Sequence, residues 1–166
     1  MPLPEWSPKV VRTYIHWVYT GKILPEIFWQ RTDFEERHKL VAYIDLYLLA
    51  EYLDDVDMRV EIVNVLVYQI NNSNGVPDPG TCKKVWKRTP KGSPLRSVIM
   101  EWMIRDQCPK DFAASVKRLS KELLEEMAVS WSDRASYPDD VVNSPEEIGA
   151  LLRAQLLSLT VRDHTQ

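Results

Sequence analysis

Three histidines, two cysteines and two small acidic clusters are the side chains of this sequence best suited to chemistry, and their spacing limits what they can do. His16, His38 and His164 fall on separate segments. A zinc ion is held by converging ligands supplied as short-spaced pairs, and no histidine here has a cysteine or carboxylate at such a spacing. His38 follows Glu35 and Glu36, where charge pairing on a helix surface accounts for it. Cys82 and Cys108 stand too far apart to form a redox motif. Asp54, Asp55 and Asp57 lie where one helix must stop and the next begin, so termination and capping explain them. Asp139 and Asp140 fall in a polar linker. The sequence has no glycine-rich phosphate loop, no GxSxG elbow and no HExxH pair. A non-enzymatic protein with no metal and no cofactor is therefore expected.

The segment Lys83-Lys84-Val85-Trp86-Lys87-Arg88 interleaves basic residues with an aromatic. Such a pattern can grip phosphates and stack bases. At helical spacing, however, Val85 and Trp86 would instead anchor a short helix to the core. The formal charge of −3 and the pI near 5.7 give no footprint for nonspecific nucleic-acid binding. Nucleic-acid binding through Lys83–Arg88 is a minor alternative.

The chain has 166 residues, of which 45% are hydrophobic. A chain of this size buries roughly 70% of its unfolded surface, enough for a packed core. Six tryptophans are many for this length, and several must lie in the core or at an interface. Two cysteines make no disulfide framework and fit a reducing compartment. No apolar run reaches the ~18 residues of a membrane span, and Met1–Trp6 lacks the basic and apolar regions of a signal peptide. An intracellular, cytoplasmic or nuclear location is expected.

The elements that must position these residues read as a succession of helices. Ser7 and Pro8 supply an N-cap and first helical residue for a helix carrying Val10, Val11, Tyr14, Ile15, Trp17 and Val18. Gly21 stands where a left-handed C-cap would sit, with Lys22 beside it. A second helix runs from Phe34 or Glu35 to Leu53, apolar on more than one side. Asp54-Asp55 breaks it, and Asp57 is expected to cap a third helix reaching Ile70. Residues 71–80 form a loop by composition. Thr81 is expected to cap a short helix ending at Arg88. Ser93-Pro94 starts a helix to about Asp106, and Pro109 opens an amphipathic helix to about Trp131 through Phe112, Val116, Leu119, Leu123 and Met127. Ser132–Asn143 reads as a polar linker, and Ser144-Pro145-Glu146-Glu147 as a capping box opening a tail helix.

Three segments in this order resemble the BTB/POZ family, the fungal type above all. Trp17-Val18-Tyr19-Thr20-Gly21-Lys22-Ile23 is similar to the family's WLYTGK helix ending. The stretch from Leu40 to Asp55, with Ala50, Tyr52 and Leu53, is similar to its next helix, and Val56-Asp57-Met58-Arg59 to the connector after that. Thr89-Pro90-Lys91-Gly92-Ser93-Pro94-Leu95-Arg96 is similar to a TPEGSPLR segment following many fungal members. Nothing in Met1–Pro8 resembles the sheet and helical hairpin that open a complete domain, so the likeness is to the second half of that fold plus a helical extension. Family members dimerise mainly through the first half, and standard homodimerisation is not expected.

The resulting expectation is an all-α helical bundle with at most a vestigial strand near Lys22–Leu24. It comprises a truncated BTB-like region at residues 1–72, a helical extension at 81–131 and a tail helix at 144–160, together forming one compact unit. The resemblance implies a protein–protein interaction module, an adaptor for a cullin-type ubiquitin ligase or a transcriptional complex, with a cullin scaffold or another BTB protein as partner. In that role Tyr19 and Lys22 would be contacts. The alternative is an incomplete BTB-derived scaffold with an unrelated partner. With the first half missing, Val10, Tyr14 and Trp17 are expected to form an uncovered apolar face.

Overall fold

In the computed structural model the described residues are 6–24, 36–72, 77–106 and 116–136, with residues 150 and 154 also helical. They form six α-helices and one short 3₁₀ turn, and among them there is no strand. The protein is all-α. Lys22, Ile23 and Leu24 adopt no strand. The tail helix expected at 144–160 lies outside the described residues apart from Ala150 and Ala154, which are helical. The structure divides into two compact units, Met1–Ile62 and Val63–Gln166.

The first unit contains α1 (Pro8–Thr20) and α2 (Glu36–Tyr52). Ser7 caps α1, its hydroxyl accepting from the Val10 amide at 3.4 Å, and Pro8 fills the first helical position. Gly21 closes the helix in the left-handed region (φ 64°), and its N–H donates to the Trp17 carbonyl at 2.7 Å. A Cβ at Gly21 would meet nothing, so the glycine is there for its backbone angle and not for space. α1 packs on α2. In α2 every residue from Ala42 to Ala50 except Asp45 is buried, a helix enclosed on all sides.

The turn after α2 differs from the expected one. Asp54 takes the left-handed conformation (φ 56°), its N–H donates to Glu51 O at 3.3 Å, and the Asp55 N–H donates to Ala50 O at 2.8 Å. That pair of bonds is a Schellman ending with aspartate in the place glycine usually takes. Asp55, not Asp57, then caps α3 (Val56–Asn72): its Oδ1 accepts from the Met58 amide at 2.9 Å. Asp57 sits in the first turn, where its charge favours the positive end of the helix dipole. The boundary between the two units falls inside α3.

The second unit adds α4 (Pro79–Arg88), α5 (Pro94–Asp106), a 3₁₀ turn at Val116–Arg118 and α6 (Lys121–Ser136). Asp78, not Thr81, caps α4. Its Oδ1 accepts from the Gly80 and Thr81 amides, and its Oδ2 accepts from the Thr81 hydroxyl at 2.6 Å. An ionised cap outcompetes a hydroxyl for exposed N–H groups, and Thr81 becomes the third helical residue. Between α4 and α5 a turn closes through Ser93 N–H to Pro90 O at 3.1 Å, with Gly92 at φ 82°. Ser93 occupies the position before α5 as expected, yet its hydroxyl makes no hydrogen bond to the described residues.

The single helix expected from Pro109 to Trp131 is interrupted. Residues 107–115 lie outside the described ones, and after the 3₁₀ turn a fresh helix starts at Lys121. Ser120 caps it, accepting from the Leu123 amide at 3.3 Å. The four-residue spacing of Leu119 and Leu123 runs unbroken across this stop, which is why the apolar pattern alone conceals it. α6 then extends through Ser136, into the stretch expected to be linker. Leu123 and Met127 are buried, whereas Trp131 is exposed.

Asp55→Ala removes the α3 cap and the acceptor of a bond from α1. It should lower unfolding free energy by about 1–2 kcal/mol in a denaturant titration. An unchanged midpoint would show that the turn holds without it.

Candidate interaction surfaces

In the first unit the side chains of α1 divide between Asp55 and solvent. Trp17 Nε1 donates to Asp55 Oδ2 at 3.2 Å. Burial pushes the Tyr14 pKa up, and the charge and hydrogen-bonding of the nearby Asp55 carboxylate add to the shift. One carboxylate thus holds the Trp17 indole and the first turn of α3, and its charge reaches Tyr14. Val10 is 2% exposed, and Tyr14 and Trp17 are half-buried. The face expected to be open is therefore the packed one. The physical reason is the breadth of the apolar set: a helix apolar over so wide an arc can bury only one edge of it against α2.

The open edge is the neighbouring one. Val11, Ile15 and Val18, spaced i, i+4 and i+7, are all exposed, Val18 at 60%. Tyr19 follows at 84% exposure, and Lys22 and Leu24 are exposed just beyond the Gly21 cap. Of the two contacts expected from sequence, Tyr19 and Lys22, both are at the surface at this helix end. Thr20 steadies it, its Oγ1 donating to His16 O at 2.7 Å and accepting from the Lys22 amide at 3.2 Å.

In the second unit the organising group is Arg96, which the sequence reading did not single out. Its side chain is 5% exposed. Nε donates to Thr89 Oγ1 at 3.1 Å, Nη1 to Glu122 Oε1 at 2.6 Å and Glu126 Oε1 at 2.9 Å, and Nη2 to the Trp86 and Thr89 carbonyls. All five guanidinium N–H groups are used. Trp86 lies against the guanidinium, 5.4 Å from its ring centroid, and donates from Nε1 to Glu126 Oε2 at 3.2 Å.

Trp86 is thereby removed from any base-stacking role. The exposed side chains of α4 are those of Lys83, Lys87 and Arg88, beside the exposed Gly80, a basic helix face without an aromatic. Cys82 is buried, its sulfur 3.5 Å from Met103 Sδ and 3.8 Å from the Pro77 carbonyl oxygen, and burial pushes the thiol pKa up to about 12. A thiol held neutral in this way is no nucleophile. Among the described residues no cluster of three or more His, Cys, Asp or Glu could hold a metal ion, and no helix is long and apolar enough to cross a membrane.

A groove of about 500 Å³ opens beside Arg96. Met100 and Ile104 of α5 and Val129 of α6 give it an apolar floor, and Glu101, Glu122, Glu125 and Glu126 line its sides. No protein-family model matches this chain, and no curated protein or solved structure matches it either.

Arg96→Ala should destabilise the chain by about 3–5 kcal/mol, because it strands the half-buried Glu126 carboxylate and two buried carbonyls. Glu122→Gln should cost under about 1 kcal/mol, since that side chain is 51% exposed. Equal losses for the two variants, read from thermal melts, would contradict the network. In a Cys108→Ser background, Cys82 should resist a thiol reagent at pH 8 in the native chain and react at once in denaturant. The thiol keeps its proton until pH approaches about 12, so its contribution to stability is fully present below the ordinary thiol pKa and is lost as pH rises from there through about 12. Rapid labelling of the native chain would show instead that the α4–α5 contact opens.

Proposed function

We propose that this chain is a non-enzymatic protein–protein interaction module of BTB/POZ type, and that it engages its partner through the end of α1. The observation that carries this reading is the exposed stripe of Val11, Ile15 and Val18 running into Tyr19. Large apolar side chains kept at the surface at helical spacing mark an interface more often than scattered single exposures do. An aromatic at the tip of such a stripe is the kind of residue that dominates binding energy. The stripe ends on the Gly21 cap, the segment whose wording resembles the WLYTGK ending that cullin-binding family members present to their scaffold. A cullin N-terminal domain is therefore the partner to try.

Light scattering after size exclusion, with the chain alone and mixed with a cullin N-terminal domain, tests the proposal. A discrete complex that weakens about tenfold or more with Ile15→Asp or Tyr19→Ala is expected. Both substitutions sit at exposed positions and should move the melting temperature little. A chain that ignores the cullin would remove the ubiquitin-ligase reading, and a complex indifferent to both variants would move the interface off α1.

A further inference from the structure

The exposed edge of α1 carries charge as well as apolar surface, and the charge is of one sign. From Pro8 to Leu24 the sequence has Lys9, Arg12 and Lys22 and no aspartate or glutamate, in a chain whose formal charge is −3. All three cations are exposed. Among the described residues no carboxylate pairs with any of them. Arg12 stands one turn before Ile15 on the same side of the helix, and Lys22 lies just past the Gly21 cap, where the stripe ends. Lys9 sits in the first turn, where a cation opposes the positive end of the helix dipole and no acid offsets it. This placement works against the helix and gains from negative charge brought from outside.

We infer that the protein docking on α1 presents aspartate or glutamate around an apolar patch. The inference rests on the proposed role of α1 as the interface and adds the chemistry of what covers it. Apolar side chains of the partner cover Ile15, Val18 and Tyr19, while its carboxylates pair with Arg12 and Lys22 along the same edge. Opposite charges around an apolar contact steer the encounter and reject wrong partners. A second copy is a poor occupant, because a two-fold pairing of α1 with α1 sets these cations against one another. An anionic lipid surface also fits badly. An interfacial helix keeps its cations on the face opposite the apolar one, whereas Arg12 and Lys22 share the exposed edge with Ile15 and the other side of α1 packs on α2. The phosphates of a nucleic acid offer Val11, Ile15 and Val18 nothing apolar to bury against.

The test is selection of a displayed random dodecapeptide library on the immobilised full chain, followed by anisotropy titration of the enriched peptides. Enriched sequences should place aspartate or glutamate beside aliphatic or aromatic residues. Their affinity should fall about tenfold with Ile15→Asp, and about tenfold with Arg12→Glu and Lys22→Glu combined. It should also weaken as salt is raised to about 0.3 M. Exchanging the peptide's acids for lysine should restore binding to the charge-reversed chain. All three positions are exposed, so the variants should melt with the parent. Peptides that lose affinity with Ile15→Asp but lack acids, or ignore the charge reversal, would overturn the acidic partner and leave α1 as the interface. Absence of enrichment, or binding indifferent to Ile15→Asp, would remove α1 as the interface and the inference with it. Sedimentation with vesicles of equal parts phosphatidylcholine and phosphatidylserine, or a concentration-dependent dimer, would also overturn it if lost with Ile15→Asp, by making a membrane or a second copy the occupant.

Discussion

A guanidinium removed from water must find an acceptor for each of its five N–H groups, and the second unit is arranged around meeting that demand for Arg96. The acceptors come from the end of α4 (the Trp86 and Thr89 carbonyls and the Thr89 hydroxyl) and from Glu122 and Glu126 of α6, while Arg96 itself stands in the first turn of α5. The carbonyls at a helix C-terminus lack intrahelical partners and carry the negative end of the dipole, so a buried cation there is favoured. A lysine could not serve, since a single ammonium has three donors and no planar fork. Such a network is weak evidence for stability, because desolvation of the charges offsets much of the attraction. It is stronger evidence for arrangement: few other packings of three helices would satisfy the same five donors. The groove follows from it, because the bonds to Arg96 fix Glu122 and Glu126 on its lining.

Asp55 plays the corresponding part in the first unit with the opposite sign of charge. Its backbone N–H closes α2, its carboxylate opens α3, and the same carboxylate receives Trp17 from α1. An ionised acceptor holding several donors makes stronger bonds than a neutral one. These bonds fix which edge of α1 turns inward, and so decide that Val11, Ile15 and Val18 are the residues left in solvent.

Local signals were legible in the sequence and long-range ones were not. Ser7-Pro8 and Gly21 mark the two ends of α1, and Ser93-Pro94 marks the start of α5, because capping and backbone preference act within a few residues. The all-α class follows from the same periodicities. The caps expected at Asp57 and Thr81 fall instead on Asp55 and Asp78, because the capping position depends on a turn geometry that residue types do not specify. The break at Ser120 was hidden by an apolar spacing that continued through it. Arg96 reads as the last residue of a turn-rich segment, and nothing near it in sequence reveals the partners it meets on α6. Which edge of α1 stays open is hidden in the sequence for a related reason. A helix apolar over a wide arc does not say which edge its neighbour will cover.

The left-handed Asp54 carries a consequence for how this turn can vary. A glycine there would relieve the Cβ crowding of a positive φ, but it would also enlarge the conformational freedom of the unfolded chain and forfeit the ion pair with Arg59 Nη2 at 3.0 Å. That pair has a largely exposed carboxylate and adds little, so the opposing effects are of similar size. Aspartate and glycine are thus close to interchangeable at this helix end, and the turn can keep its shape through drift in its residue. Helix endings of this kind escape any comparison that looks for glycine as the mark of a C-terminus.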